Sequence, residues 1–295
     1  MDRRRYALWL QYDGGAFRGF QRQPGLPTVE GALLEALAPL GLRPHLEVAA
    51  RTDAGVHALA QVVSFAARAD LDPDGLRAAV NAGTPPALAC LSAWRTPPDF
   101  HARASARERT YVYLVGSPPP PGLEGRAWAL PDDRGFPGVR ARIDTAAVRE
   151  ALRHAVGEHD FAGVARPGEQ RGTVRTLLDA TVDEGCGGAL LALTLRGRGF
   201  LRAQVRNLVG TAVAAGLGVV TPIRVKEILE RPERYRGVRA PAWGLTLARV
   251  LYPFGSVPPQ VATDSPPDSS GGSSPFTSPG TSPYFDSRSD TASRR

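Results

Sequence analysis

The sequence predicts an α+β fold in two halves that share a mostly antiparallel central sheet, with helices packed on it and a cleft between the halves. Three observations support this. Strand and helix patterns alternate as β-α-β-β-α-β before residue 105, the same order recurs after it, and the punctuation between elements is rich in Gly and Pro. That order is the ferredoxin-like one. The expected organisation is therefore a ferredoxin-like subdomain at 1–105, a second at 106–254, and a tail at 255–295.

The first half opens with a buried strand, Tyr6–Tyr12, ended by the turn Asp13-Gly14-Gly15. Thr28 caps a helix through Leu40, with leucines at 33, 34, 37 and 40 at helical spacing. Leu46–Ala50 reads as a short strand, Gln61–Ala66 as a longer one, Asp74–Asn81 as a helix and Leu91–Arg95 as the closing strand. In the second half Thr110–Val115 alternates as a half-buried strand does. Asp144–Val156 is a helix capped by Asp144 or Thr145, and Arg175–Asp183 and Ala189–Leu195 are strands. Phe200–Gly216 reads as a helix whose apolar face is broken by Arg202 and Arg206. Pro222–Glu230 is a short helix and Trp243–Leu251 the last strand. From Gly255 on, Ser, Pro, Gly, Thr and Asp dominate, a composition that cannot bury enough apolar surface to offset its ordering entropy, so disorder is expected there.

The formal charge is +7 over 295 residues. The tail carries three arginines against four aspartates, which leaves +8 on the body. Almost all the positive charge is arginine, the only lysine being Lys226. Arginine's planar fork suits phosphate and stacks on bases, so a polyanion, nucleic acid above all, is the expected partner. A GC-rich genome also favours Arg over Lys, which explains the ratio better than the net excess. The two cysteines, Cys90 and Cys186, match no metal or redox spacing and are expected as small packing residues in a reducing compartment. No run of residues reads as a signal peptide or membrane span, so a cytoplasmic protein is expected.

The stretch Arg51-Thr52-Asp53-Ala54-Gly55-Val56-His57-Ala58 is the most informative in the chain. It sets one carboxylate on a loop between an arginine and a glycine that permits positive φ. A carboxylate so held can act as nucleophile or base. Asp is also a common turn residue, and on spacing alone a turn cap paired with Arg51 is the plainer reading.

Seven segments in order resemble the tRNA pseudouridine synthase A family over most of Tyr6–Pro253. They are Gln11–Gln23, Arg51–Ala58 with Gln61-Val62-Val63, Ala79–Ala82, Asp99–Arg103, Tyr111-Val112-Tyr113, Phe200–Gly210, and Gly244-Leu245. The resemblance implies an enzyme that converts uridine to pseudouridine in the anticodon stem-loop of tRNA, at tRNA positions 38 to 40. It implies a homodimer that uses neither cofactor nor catalytic metal. By motif, Asp53 is the essential carboxylate, whether it attacks base or sugar or takes a ribose proton. Arg206 is the arginine that pairs with it and fixes its rotamer, and Tyr111 stacks on the target base. Arg51 helps displace the target nucleotide, a step that costs a few kcal/mol of unstacking. Strand alternation puts Tyr111 and Tyr113 on one face, so spacing does not choose between them.

His57, Gln21, Arg22 and Arg202 are candidate RNA contacts, Gln21 and Arg22 because they follow the aromatic pair Phe17 and Phe20. For His57 a structural role in the turn is the commoner fate. Two departures stand out: Ala50 where the family has Gly, and Phe20 where it commonly has Trp. Other readings include the same chemistry on another RNA, or a non-catalytic RNA-binding protein, though the aromatic string of an RRM is missing. A metal-dependent phosphatase would want a second carboxylate beside Asp53, and 51–58 holds none.

Overall fold

A computed structural model describes residues 3–132, 135–139, 142–166, 172–231, 237–253 and 255–257. Residues 1–260 form one compact unit; 261–295, the second unit and most of the expected tail, lie outside the described residues. In chain order the elements are β1 (Arg4–Tyr12), α1 (Val29–Leu37), β2 (Glu47–Val48), β3 (His57–Ala67), α2 (Pro73–Gly83) and β4 (Leu88–Thr96). Then follow β5 (Glu108–Gly116), β6 (Trp128–Ala129), α3 (Thr145–Arg153), β7 (Gly157–Asp160), β8 (Val174–Gly185) and β9 (Leu190–Gly197). The chain closes with α4 (Gln204–Gly216), α5 (Arg224–Glu230), β10 (Leu245–Tyr252) and β11 (Gly255–Val257).

The fold is α+β; the described residues form one 11-stranded mixed sheet in the order β4-β1-β3-β10-β5-β9-β8-β7. β2, β6 and β11 pair at its margins with β3, β5 and β10. Among the described residues only β3–β10 and β5–β6 are parallel. The two halves meet in this sheet where Thr246 and Leu247 of β10 lie beside His57 and Ala58 of β3.

Local chemistry fixes the helix starts. Thr28 accepts from Gly31 N–H at α1, Asp72 from Gly75 N–H at α2, and Asp144 from Ala146 and Ala147 N–H at α3. The helix α4 is the core of the second half: of its 13 residues every one but Arg206 is buried. It crosses the chain at Gly210, where a Cβ would lie 1.8 Å from the carbonyl oxygen of Val238. Only hydrogen fits there.

The linker between the halves is fixed by a buried side chain. Arg109 of β5 is 7% exposed and, among the described residues, gives its fork to main-chain carbonyls alone. Nε and Nη2 donate to Ala49 O at 3.2 and 3.0 Å, and Nη2 also to Arg103 O at 2.6 Å. Nη1 donates to Ala106 O at 2.9 Å and Arg198 O at 2.8 Å. Burial lowers its pKa from the ordinary arginine value, and the nearby Tyr252 and Tyr111 rings oppose that shift.

Several expectations change. β3 begins at His57, so His57 and Ala58 belong to a strand rather than the loop. The helix expected from Phe200 starts at Gln204, because Ala203 sits in the left-handed region at φ 65° and breaks the path. The tail does not begin at Gly255: Gly255–Val257 extends the sheet beside β10. Cys90 is buried as expected, but Cys186 is exposed on the β8–β9 hairpin, also at positive φ. The short strands β6 and β7 carry too few residues to show a period in sequence.

Replacing Arg109 by Met leaves four carbonyls without their donor. At about 1–3 kcal/mol per buried orphan, we expect urea denaturation to show at least ~3 kcal/mol lost. Arg109→Lys recovers only part of this, since an ammonium cannot reach all four oxygens.

Candidate active site

Asp53 lies on the loop that enters β3, and three neighbours set that loop. Gly55 takes φ 81°, and Val56 N–H closes a turn onto Asp53 O at 3.2 Å. Gly19, at φ 99°, packs its α-carbon against the backbone of Thr52–Ala54 from the other side. Just upstream, Ala50 is held by the wholly buried Gln61, which pairs with both its N–H and its carbonyl. The Gln61 Nε2 donates to Ala50 O at 2.7 Å and its Oε1 accepts from Ala50 N–H at 3.3 Å. Gln61 Nε2 also donates to the Tyr12 hydroxyl at 3.1 Å, and that hydroxyl shares a hydrogen bond with Thr52 Oγ1 at 2.7 Å. No buried side-chain nitrogen or oxygen of this network lacks a hydrogen-bond partner.

Two guanidinium groups face the Asp53 carboxylate. Arg206 Nη1 is 3.5 Å from Oδ2, and Arg202 Nε is 3.5 Å from Oδ1. The two differ in freedom: the Arg206 side chain is 18% exposed, that of Arg202 58%. Arg206 is also clamped to one residue twice, its Nε donating to Ala240 O at 2.8 Å while its own carbonyl accepts from Ala240 N–H at 3.1 Å. Burial lowers the Arg206 pKa and Asp53 opposes that. Arg202 reaches Asp53 from the turn before α4, not from the preceding turn of the same helix face as expected. Arg51 is exposed and, among the described residues, has no ion pair; the expected Arg51–Asp53 partnership is replaced by Arg206 and Arg202.

Tyr111 and Tyr113 part company in the structure. Tyr113 is fully buried, donates to Pro241 O at 2.8 Å, and its ring lies where a Cβ on Gly244 would be. Tyr111 is 7% exposed with Phe200 edge-on at 5.2 Å, and among the described residues its hydroxyl makes no hydrogen bond. Burial raises the Tyr111 pKa above the ordinary phenol value; Tyr12 and Asp53 add to this and Arg109 opposes it. The Asp53 carboxylate is thus among the charges that act on the Tyr111 hydroxyl.

The remaining candidates separate. Gln21 and Arg22 are exposed on the loop before α1, where the Arg22 amide donates to Glu30 at 2.7 Å. Phe17 and Phe20 are core residues. His57 is 4% exposed and its Nδ1 accepts from Gly14 N–H at 3.1 Å. A nitrogen that accepts there has no proton for Asp13 Oδ1, also 3.1 Å away, so Asp13 turns to Arg126 at 2.8 Å. His57 is thus a buried support of the Asp13 turn, with no surface for phosphate. Among the described residues no group of three His, Cys, Asp or Glu is placed to hold a metal, and no helix is long and apolar enough to cross a membrane. Sequence reasoning missed Gln61, Tyr12 and Arg109. Only a polar residue inside a strand pattern signals such supports.

A family model described as tRNA pseudouridine synthase matches residues 151–253, the part that carries Arg202 and Arg206. A tRNA pseudouridine synthase A from Cereibacter sphaeroides is 42% identical over 257 residues, 84% of this chain and 96% of that protein. The chain belongs to the tRNA pseudouridine synthase A family. The counterpart from Methylacidiphilum infernorum is 41% identical over 84% of this chain and 95% of its own. That from Thermus thermophilus is 41% identical over 85% and 97%. The chain is accordingly an isomerase, a tRNA pseudouridine synthase.

The site's tyrosines predict a pH limit. Burial raises Tyr12 to about 12, whereas an unfolded tyrosine ionises near 10. A raised phenol pKa contributes its full stability below pH ~10 and loses it as pH climbs towards the folded value. We expect unfolding free energy to be flat to about pH 10, then to fall by ~1.4 kcal/mol per pH unit for each such tyrosine. Tyrosinate absorbance should rise together with unfolding rather than before it.

Proposed function

We propose that this protein isomerises uridine to pseudouridine in the anticodon stem-loop of tRNA, at tRNA positions 38 to 40, with Asp53 as the reactive carboxylate. The supporting observation is the placement of Asp53 against Arg206 at 3.5 Å, beside Tyr111, in a chain of this family. The reaction breaks the bond from ribose C1′ to uracil N1, turns the detached base, and forms a bond from C1′ to C5. N1 gains a proton and C5 loses one, so nothing is oxidised and no cofactor is consumed.

Each residue has a part. Asp53 supplies the anion that the sugar or base needs. Arg206, nearly buried and doubly clamped to Ala240, holds one carboxylate oxygen and leaves the other towards the cleft mouth. Arg202, more exposed, exchanges its contact with Asp53 for a phosphate. Arg51, exposed beside the loop, fills the space that the extracted nucleotide leaves. Tyr111 stacks on the base, its unpartnered hydroxyl within reach of C5 chemistry. Gln21 and Arg22 meet the RNA backbone. The two halves are ferredoxin-like subdomains; strand orders β4-β1-β3-β2 and β10-β5-β9-β8 support that reading, since both are the fourth-first-third-second order of that fold. We further infer a homodimer in the cytoplasm, on family grounds.

A tRNA transcript tritiated at uracil C5 tests the reaction. Wild-type protein should release tritium to water, and Asp53→Asn should lower release by at least ~10³-fold at unchanged thermal stability. Tight tRNA binding with no release from any tRNA would sink the enzyme reading. Arginine contacts to phosphate also require tRNA affinity to fall steeply with salt, by ~0.7–0.9 log units per log unit of salt for each contact. A flat response measured by filter binding would remove the arginine argument.

A further inference from the structure

Of all the described Phe, Tyr and Trp side chains, Trp243 alone is exposed, at 42%. Its position makes that exposure informative. The parallel pairing of Thr246 with His57 means that the segment entering β10 and the Asp53 loop entering β3 emerge side by side. They touch: a Cβ on Gly55 would lie 3.2 Å from Ala242 Cβ and 4.0 Å from the Trp243 nitrogen. The support under the indole is fixed residue by residue. Ala240 is clamped by Arg206, Pro241 O accepts from Tyr113, and Gly244 abuts the Tyr113 ring.

We propose that Trp243 is a stacking platform for an unpaired RNA base next to the target uridine. This rests on the pseudouridine reading of the same site. An indole left in water gives up the apolar area that fifteen other aromatic side chains bury or half-bury here. A rigid turn holds it, so stacking a base costs little ordering entropy. Every base has a π-face, so the contact tolerates sequence, as an enzyme with several target uridines requires. The arginines at the cleft, Arg51 and Arg202, supply charge for the backbone; Trp243 supplies what they lack, a flat apolar surface.

Equilibrium binding of an anticodon stem-loop RNA to the full chain tests this. Trp243→Ala should weaken binding about five- to a hundred-fold, the range for loss of one stacked base, and Trp243→Phe should restore most of it. Because no charge is removed, the salt slope should match wild type; a general loss of the RNA surface would flatten it. Tryptophan fluorescence should be quenched on binding, and the quench should be absent in Trp243→Phe. Val219→Ser, at another exposed apolar residue, serves as the control and should bind as wild type. Unchanged affinity and undiminished quenching in the Trp243 variants would overturn the proposal. Binding and quenching need no turnover, so a failure to release tritium would sink the reaction while leaving the platform to be decided by these data.

Discussion

The two-residue parallel seam between β3 and β10 is the constraint on which the rest of the molecule depends. It joins strands from opposite halves of the chain and sets the loops that precede them side by side. Asp53 comes from one loop. Ala240, the anchor of Arg206, comes from the other. A slip of one residue along this seam would turn every side chain of β10 to the opposite face and carry the Arg206 anchor away from the carboxylate. Arg109 guards against that slip from behind, since its fork spans Ala49 before the Asp53 loop, the linker at Arg103 and Ala106, and Arg198 before α4. A buried guanidinium with no carboxylate partner is costly to leave unsatisfied. Its carbonyls are spread over three segments, so those segments must stay in register together.

The charges at Asp53 are divided by mobility. One guanidinium is packed and the other more exposed, and the carboxylate spans the boundary between core and solvent. A fully buried pair would be rigid but closed to substrate, and two exposed arginines would compete with water and salt. The arrangement found here keeps a fixed counter-charge under the carboxylate and a more exposed one beside it. That division depends on Ala203: its left-handed backbone releases the chain from the turn carrying Arg202 into α4, so that two arginines four residues apart approach one aspartate from different elements.

Much of this was legible in sequence. Among the described residues the hydrophobic periods located every long strand and four of the five helices closely, and the caps Thr28 and Asp144 marked true helix starts. The pairing of Arg206 with Asp53 was implied by the family resemblance and not by local spacing, which favoured a turn cap; the structure places the two 3.5 Å apart. What was hidden depends on distant partners. No local pattern tells a solvent-facing arginine from Arg109, whose ligands lie up to 89 residues away. Nor does alternation separate Tyr111 from Tyr113; the difference is Pro241 O, which sits 128 positions downstream. For His57 the structural role was the commoner expectation, but its partner was hidden for the same reason, since the amide that occupies it belongs to Gly14. The helix at Phe200 was read too long because propensity says nothing of a left-handed residue held by tertiary contacts.

The two cysteines end up in opposite chemical situations, with a practical consequence. Cys90 is buried in the first half, and burial pushes its thiol up to about 12, so at neutral pH it offers no thiolate. Cys186 stands exposed at the tip of the β8–β9 hairpin, at the far end of β9 from the loop that leads to Arg202. They are the only cysteines in the chain. The natural sequence therefore carries a single addressable thiol, set on a rigid strand pair about 25 Å of strand length from the arginine turn. A maleimide dye placed there would report on distances to a labelled RNA without any engineered substitution.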